Sequence, residues 1–229
     1  MKKTYPFISL LLLLVTIFLQ FAFIDKRYSQ RKINPECPWC EEQIGDDVIY
    51  IPISAPLMRI FAPADPHFLS DLLWMRTSYY FGLHYLSDKA YPHLFHLLDL
   101  ISDLSPQWEN PYLYGAVILA SEAEASEDGF YFIEKGLNFH PEEWQLWFFK
   151  GYYLWKYRES KLEAAQAFHH ASSLPGAPIY LAELSATFAT EAGQKELALR
   201  FLQESMRNVQ DPAMQKELLK KMEKVMKND

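Results

Sequence analysis

Residues 147–175 read WFFKGYYLWKYRESKLEAAQAFHHASSLP, and this stretch decides the fold. Small residues stand at Gly151, Ala164 and Ala171, large apolar ones at Trp147, Leu154 and Phe168, and Pro175 closes the run. Two helices that cross at short range tolerate only Gly or Ala where their axes come closest, so the pattern predicts a helix pair. Outward from this stretch the same signature returns. Gly82 is followed by Tyr85, Leu94, Leu98, Ile101 and Pro106, and Gly115 by Ile118, Gly129, Ile133, Gly136 and Pro141. Ala182 and Ala186 are followed by Ala189, Gly193, Ala198 and Leu202, with Pro212 beyond. The successive small residues Gly82, Gly115, Gly151 and Ala186 lie 33, 36 and 35 residues apart. One such pair cannot bury its apolar face alone, so stacked pairs make the core and the ends need caps. Residues 212–227 suit a cap: Met214, Leu218, Met222 and Met226 form one stripe, while Lys216, Lys220, Lys221, Lys224 and Lys227 are expected in solvent.

Composition agrees with a packed helical body. The chain is 50% hydrophobic and 16% aromatic, with six Trp, 14 Tyr and 16 Phe, which is material for a core and for an aromatic contact surface. The formal charge of −7 hides an asymmetry, because residues 1–36 carry six Lys/Arg against Asp25 and Glu36, a net +4 that leaves −11 for the remainder. An acidic body lacks the basic face that phosphate neutralisation requires, which argues against nucleic acid as a partner.

Upstream, Pro6 to Ile24 is a run of 19 residues in which only Ser9, Thr16 and Gln20 are polar. As a helix it would span roughly 28 Å, close to the hydrocarbon thickness of a bilayer. Bulky Phe21, Phe23 and Ile24 stand where a signal peptidase wants small residues, so an uncleaved signal anchor is favoured over a cleaved signal peptide. Lys2 and Lys3 face Lys26, Arg27, Arg31 and Lys32 across this run, a near balance of positive charge. The short basic start before a long apolar run favours the amino terminus inside and the body outside the cytoplasm. The chain thus divides into a basic tail (1–5), a transmembrane segment (6–24), a juxtamembrane linker (25–66), the repeats (67–211) and a capping helix (212–229).

The linker holds Cys37-Pro38-Trp39-Cys40, which admits three readings. A thioredoxin-like redox pair belongs between a strand and a helix, and no βαβ pattern surrounds it. A zinc site needs two further ligands, and no second C-x-x-C or well-spaced Cys/His partner exists in the chain. The third reading, a local disulfide in an oxidising compartment or two reduced thiols in a loop, asks for nothing more. Residues 47–53 favour an extended strand that Pro52 and Pro56 confine to an edge or to isolation. Pro63 and Pro66 then end the linker.

No phosphate loop, H-E-x-x-H, G-x-S-x-G or EF-hand loop is present, and the sequence predicts no catalytic residue, metal or cofactor. His93 and His96 share a helix face without a carboxylate at matching spacing, and His169 and His170, about 100° apart on a helix, cannot converge on one ion. Glu122 to Asp128 reads as a solvated acidic turn.

The recurring pattern resembles the tetratricopeptide repeat (TPR) family, and together with the apolar start it is similar to signal-anchored bacterial TPR proteins. The resemblance implies an all-α, right-handed α-solenoid of about four helix pairs with a C-terminal cap, preceded by a transmembrane helix. It also implies that the first helix of each pair faces a concave groove. Carried over position by position, the lining is Arg76, Tyr79, Leu83 and Leu86; Glu109, Tyr112, Ala116 and Leu119; Gln145, Phe148, Tyr152 and Trp155; Tyr180, Glu183, Thr187 and Thr190. The expected function is that of a scaffold or assembly factor, not an enzyme, binding a partner protein in an envelope complex for secretion, pili, motility or export. A permanent structural subunit of a membrane complex is the alternative, and a thiol-disulfide oxidoreductase using Cys37 and Cys40 is a third. No small-molecule substrate is expected. If the apolar run is an anchor, the mature protein retains Met1 and sediments with membranes after a high-salt wash; a soluble mature chain beginning near residue 25 would contradict it.

Overall fold

The computed structural model describes residues 54–61 and 65–227, together with Leu14, Val15 and Phe18, which are helical. The chain divides into two compact units, Met1–Ile49 and Tyr50–Asp229. The second holds ten helices: α1 (Ala55–Phe61), α2 (Pro66–Tyr85), α3 (Leu94–Leu104), α4 (Asn110–Ser121), α5 (Ser126–Phe139), α6 (Trp144–Lys156), α7 (Lys161–Ser173), α8 (Tyr180–Glu191), α9 (Lys195–Asn208) and α10 (Pro212–Lys227). The described protein is all-α. The remainder of the apolar run 6–24, the Cys37–Cys40 pair and the extended segment 47–53 lie outside the described residues. Among those described, no helix is long and apolar enough to cross a membrane.

The expected linker contains a helix. Pro56 stands in the first turn of α1, where its missing N–H would have had no intrahelical acceptor, so a proline expected to confine the extended segment before it also suits a helix start. Ala55 of α1 packs with Leu100 and Leu104 of α3, and Met58, Leu69 and Leu73 close around them.

Helices α2 to α10 follow one another through short connections that turn the chain back, and each packs on its neighbours in sequence. Next-but-one helices also touch, α4 on α6, α7 on α9 and α8 on α10. The turns between paired helices fix a common register. The backbone N–H groups of Lys89, Ala125, Ser160 and Gln194 donate to the carbonyls of His84, Leu119, Leu154 and Ala189 at 2.8, 2.8, 2.9 and 2.8 Å. Those four acceptors are each 35 residues apart. In the same turns Lys89, Glu124 and Glu159 take φ of +54°, +53° and +53°, and Gly193 takes +74°.

This backbone register corrects the one inferred from small residues. Three residues before each acceptor stand Phe81, Ala116, Gly151 and Ala186. Gly151 and Ala186 stand at this turn-defined position; Gly115 lies one residue before it yet packs against Phe132 as Gly151 does against Phe168, whereas Gly82 lies one residue after it. A Cβ on Gly151 would lie 2.7 Å from the Phe168 ring, but one on Gly82 would meet nothing within 4 Å. In the first pair Phe81 stands at the turn-defined position, stacked on Tyr91 of the connection (5.4 Å, 22°) and edge-on to Tyr114 of α4 (5.7 Å, 84°). The longer connection over 86–93, which carries Tyr91, goes with that ring.

Aromatic rings hold the pairs together. Phe132 and Phe168 are buried, and each enters a notch in the preceding helix where a side chain is missing, at Gly115 and at Gly151. On α5, a Cβ at Gly136 would sit 2.9 Å from Tyr112 Cβ, and one at Gly129 would overlap the Tyr153 hydroxyl. That hydroxyl donates to the Ala116 carbonyl at 2.5 Å, tying α6 to α4. Tyr112 donates to the Pro106 carbonyl (3.1 Å) and Trp147 Nε1 to the Pro141 carbonyl (2.8 Å), two rings 35 residues apart doing the same work six residues past a proline.

The cap also departs from the expected stripe. Leu218 and Val225 are buried, Lys221 and Met222 are half-buried, and Met214 and Met226 are exposed. Steps of four residues drift about 40° each around a helix, so four of them cannot face one neighbour, whereas a step of seven nearly returns to the same line. Lys221, expected in solvent, donates to Thr187 Oγ1 of α8 at 2.6 Å. Burial, followed by the nearby Lys224 charge, pulls its ammonium below the usual lysine range.

Two substitutions test the crossing. Gly151→Leu should cost about 1–3 kcal/mol or more by overpacking against Phe168. Gly82→Ala should gain about 0.4–1 kcal/mol, because its methyl enters open space on a helix. Paired thermal melts that ranked the two alike would refute the 35-residue register.

Candidate protein-binding surface

In the corrected register the positions turned away from the partner helix are Met75, Ser78, Gly82 and Tyr85 on α2; Asn110, Leu113, Val117 and Ala120 on α4; Gln145, Phe148, Tyr152 and Trp155 on α6; and Tyr180, Glu183, Thr187 and Thr190 on α8. None of these sixteen is buried. Seven of them are exposed and nine half-buried, so this phase lies outside the core on all four helices.

Of the sequence-derived lining, the positions on α6 and α8 lie outside the core, whereas three of the four at α4 lie inside it. Tyr112 is fully buried, as are Ala116 and Leu119, so Tyr112 is no partner-binding residue. One residue on a helix is about 100° of rotation, and that rotation carried the assignment from the open face into the core. Burial drives the Tyr112 phenol up to about 12, as expected for a ring sealed from water. Arg76 and Tyr79 are exposed on α2, one residue beyond the corrected positions Met75 and Ser78. Phe148 is half-buried, 5.8 Å from the Phe168 ring. Tyr152 is half-buried, edge-on to the exposed Trp155 (5.8 Å, 74°), and accepts from Lys156 Nζ at 2.9 Å. Trp155 in turn meets Phe188 of α8 edge-on at 5.3 Å. Tyr180 is exposed and Glu183 half-buried on α8, near the Thr187–Lys221 contact that brings in the cap.

Upstream of that cluster α2, α4 and α6 enclose a cleft of about 400 Å³, lined by Trp74, Asn110, Leu113, Tyr114, Val117, Ile118, Gln145 and Phe149. Trp74 meets Trp108 at 5.1 Å and Tyr114 at 5.2 Å, so one wall is a stack of large rings. Burial pushes the Tyr114 phenol up to about 12. The cleft is almost wholly apolar apart from Asn110 and Gln145, and Gln145 Oε1 is sealed from solvent without a hydrogen-bond partner among the described residues. A buried acceptor left open costs about 1–3 kcal/mol, so a donor brought by an occupant would recover part of that. Leu113 and Val117 escaped the sequence reading because Gly115 and Ala116 are both small and offer two registers one residue apart, whereas Tyr114 and Phe149 stand at none of the four lining positions in either register.

The other candidates are engaged within the chain. Among the described residues no group of three His, Cys, Asp or Glu could hold a metal. His169 stacks flat on Phe201 (3.9 Å, 8°) with Nε2 2.9 Å from Glu204, whereas His170 lies against Trp147 (4.1 Å). A second cleft, about 620 Å³ between α5, α6 and α7, carries Lys150 over Trp147 and Arg158 over Phe130. Its cations pair with Glu134 (2.7 Å) and with Glu127 of the acidic run (3.1 Å). No protein-family model, curated protein or solved structure matches this chain.

The rotated face separates core from surface by neighbouring residues. Tyr112→Ala should cost about 3–5 kcal/mol, in the range of buried aromatic truncations. Val117→Ala should stay below about 1 kcal/mol. Urea denaturation showing the opposite order would restore the original register.

Proposed function

We propose that this chain is a membrane-anchored scaffold or assembly factor of the tetratricopeptide kind. In this reading the helix pairs form a right-handed α-solenoid capped by α10, and the first helix of each pair faces a groove. The groove holds an apolar segment of another protein, within an envelope complex such as a secretion, pilus, motility or export machine. One observation carries the reading: none of the sixteen positions at one phase of a 35-residue recurrence is buried, and four of them, Asn110, Leu113, Val117 and Gln145, line the aromatic cleft of α2, α4 and α6. An apolar cleft with a few placed polar groups suits a helix or extended peptide that inserts large side chains and offers one N–H, here to Gln145 Oε1. The acidic body and the apolar start, read as an anchor, support a protein partner at a membrane over nucleic acid.

The test is recovery of the partner from solubilised membranes by the full chain. Leu113→Ala with Val117→Glu should weaken binding by about 2 kcal/mol or more, roughly thirtyfold, because a charge then faces an apolar occupant. Helical circular dichroism and the melting midpoint should stay near wild type. Cys37→Ser with Cys40→Ser should leave recovery unchanged. Loss of the partner in the serine variant together with its retention in the cleft variant would move the working surface to the juxtamembrane segment. Recovery at fixed one-to-one stoichiometry that survives both changes would favour a permanent subunit.

A further inference from the structure

The connection between α2 and α3, residues 86–93, has a histidine at each end, and the two ends oppose one another electrically. His84 lies in the last turn of α2, with Nδ1 2.7 Å from Asp88 Oδ1. A helix C-terminus and a carboxylate both favour a protonated ring there. His93 stands at the start of α3 with His96 in the first turn, and that turn holds no acidic residue. A helix N-terminus disfavours positive charge. Burial, then His84, then His96 also hold the His93 imidazole below the usual histidine range. The nearby carboxylates are taken up elsewhere. Asp88 accepts from the Ala90 N–H at 3.1 Å, which together with His84 keeps it below the usual carboxylate range, and Glu122, just past α4, acts on Tyr91. Lys89 lies over the Tyr85 ring at 5.6 Å and adds one more positive charge.

Between these ends the connection carries Tyr91, and Tyr91 reaches the cleft through two rings. It stacks on Phe81, Phe81 is edge-on to Tyr114, and Tyr114 meets Trp74 in the cleft wall at 5.2 Å. Tyr91 is buried, yet its hydroxyl has no hydrogen-bond partner among the described residues, so packing alone holds its side chain. The backbone beside it is held loosely as well. The His93 N–H donates to the Tyr80 hydroxyl at 3.3 Å, beyond the usual span of such bonds.

We propose that residues 86–93 are an acid-released latch on this cleft. Protonation tightens His84 on Asp88 and drives His93 and His96 away from the start of α3, so the connection is pulled at one end and pushed at the other. Tyr91 then leaves Phe81, Tyr114 loses its support, and the cleft wall opens. The latch rests on the reading of the cleft as the protein-binding surface, and it weakens the hold on an occupant in acid. Because folding keeps His93 below its unfolded value, the closed arrangement is fully favoured above about pH 6.5 and loses ground as pH falls through the folded value.

Hydrogen exchange of the full chain, corrected for the intrinsic pH dependence of exchange, tests the latch. Between about pH 7.5 and about pH 5.5 the protection of residues 86–94 should fall about fivefold while that of α6 stays level. His93→Gln should abolish the fall. His93→Lys, which carries a permanent charge, should show the lowered protection already at the higher pH. His169 is a second histidine that burial holds down, and His169→Gln should leave the fall intact. Ile118→Cys, on the cleft wall in a Cys37→Ser, Cys40→Ser background, should react about threefold faster with dithiodipyridine at the lower pH, relative to free cysteine. Protection that stays level across this range would overturn the proposal. So would a fall that His93→Gln leaves unchanged, or one without faster reaction at Ile118→Cys. Partner recovery by the chain with Leu113→Ala and Val117→Glu is read at neutral pH, so it judges the cleft itself whatever the latch does.

Discussion

The close approach of two helices, with a phenyl ring of the second entering a notch in the first, is the contact on which the arrangement rests. Phe132 meets α4 at Gly115, and Phe168 meets α6 at Gly151. A ring of this size buries apolar area worth about 1.5–3 kcal/mol, and the gain is available only where no side chain blocks the approach. The turn register follows from it. With the helices drawn this close, a connection of few residues must reverse the chain at once, and it does so through one residue at positive φ and one return hydrogen bond. Three of these turn residues carry side chains, Lys89, Glu124 and Glu159, so packing outweighs a local backbone cost of about 1–2 kcal/mol at each.

How much of this was legible in the sequence depended on whether the notch was unambiguous. Gly151 stands between Lys150 and Tyr152, and Ala186 between Ser185 and Thr187, so there the phase could be read and the open faces of α6 and α8 came out as expected. In α4 the notch is Gly115, as read, but the turn's acceptor Leu119 lies four residues beyond it where Leu154 lies three beyond Gly151, so counting the lining from the glycine shifted it by one residue. That single step hid Leu113 and Val117 and promoted the buried Tyr112. In α2 the residue at the turn-defined position is Phe81, which no rule of small residues could find; its accommodation depends on Tyr91 and on a longer turn. The signal that fixes the phase, four backbone carbonyls 35 residues apart, belongs to no side chain and is invisible to composition. The burial of Lys221 was equally hidden, because its acceptor Thr187 lies on another helix.

The open faces differ in chemistry along the chain. On α4 and α6 they carry Leu113, Val117, Phe148, Tyr152 and Trp155, whereas on α8 they carry Glu183, Thr187 and Thr190. The change tracks the cap: α10 reaches α8 with Lys221, which Thr187 receives, whereas among the described residues no helix caps the open faces of α4 and α6 in this way. An apolar cleft in water is costly unless an occupant shares it, and the unpaired Gln145 Oε1 adds to that cost. Both costs vanish together for an occupant that is apolar and brings one donor, which is a narrower requirement than hydrophobicity alone.

α2 poses the same question at the other end. Its inner face buries Tyr80 together with Ser70 and Thr77, and its outer face carries exposed Phe68, Leu72, Met75 and Tyr79, so no single neighbour can satisfy the helix. The chain supplies α1, but α1 packs over Leu69 and Leu73, on the side already shared with α3, and leaves Phe68, Leu72, Met75 and Tyr79 uncovered. Solvent exposure of such a line is tolerated poorly.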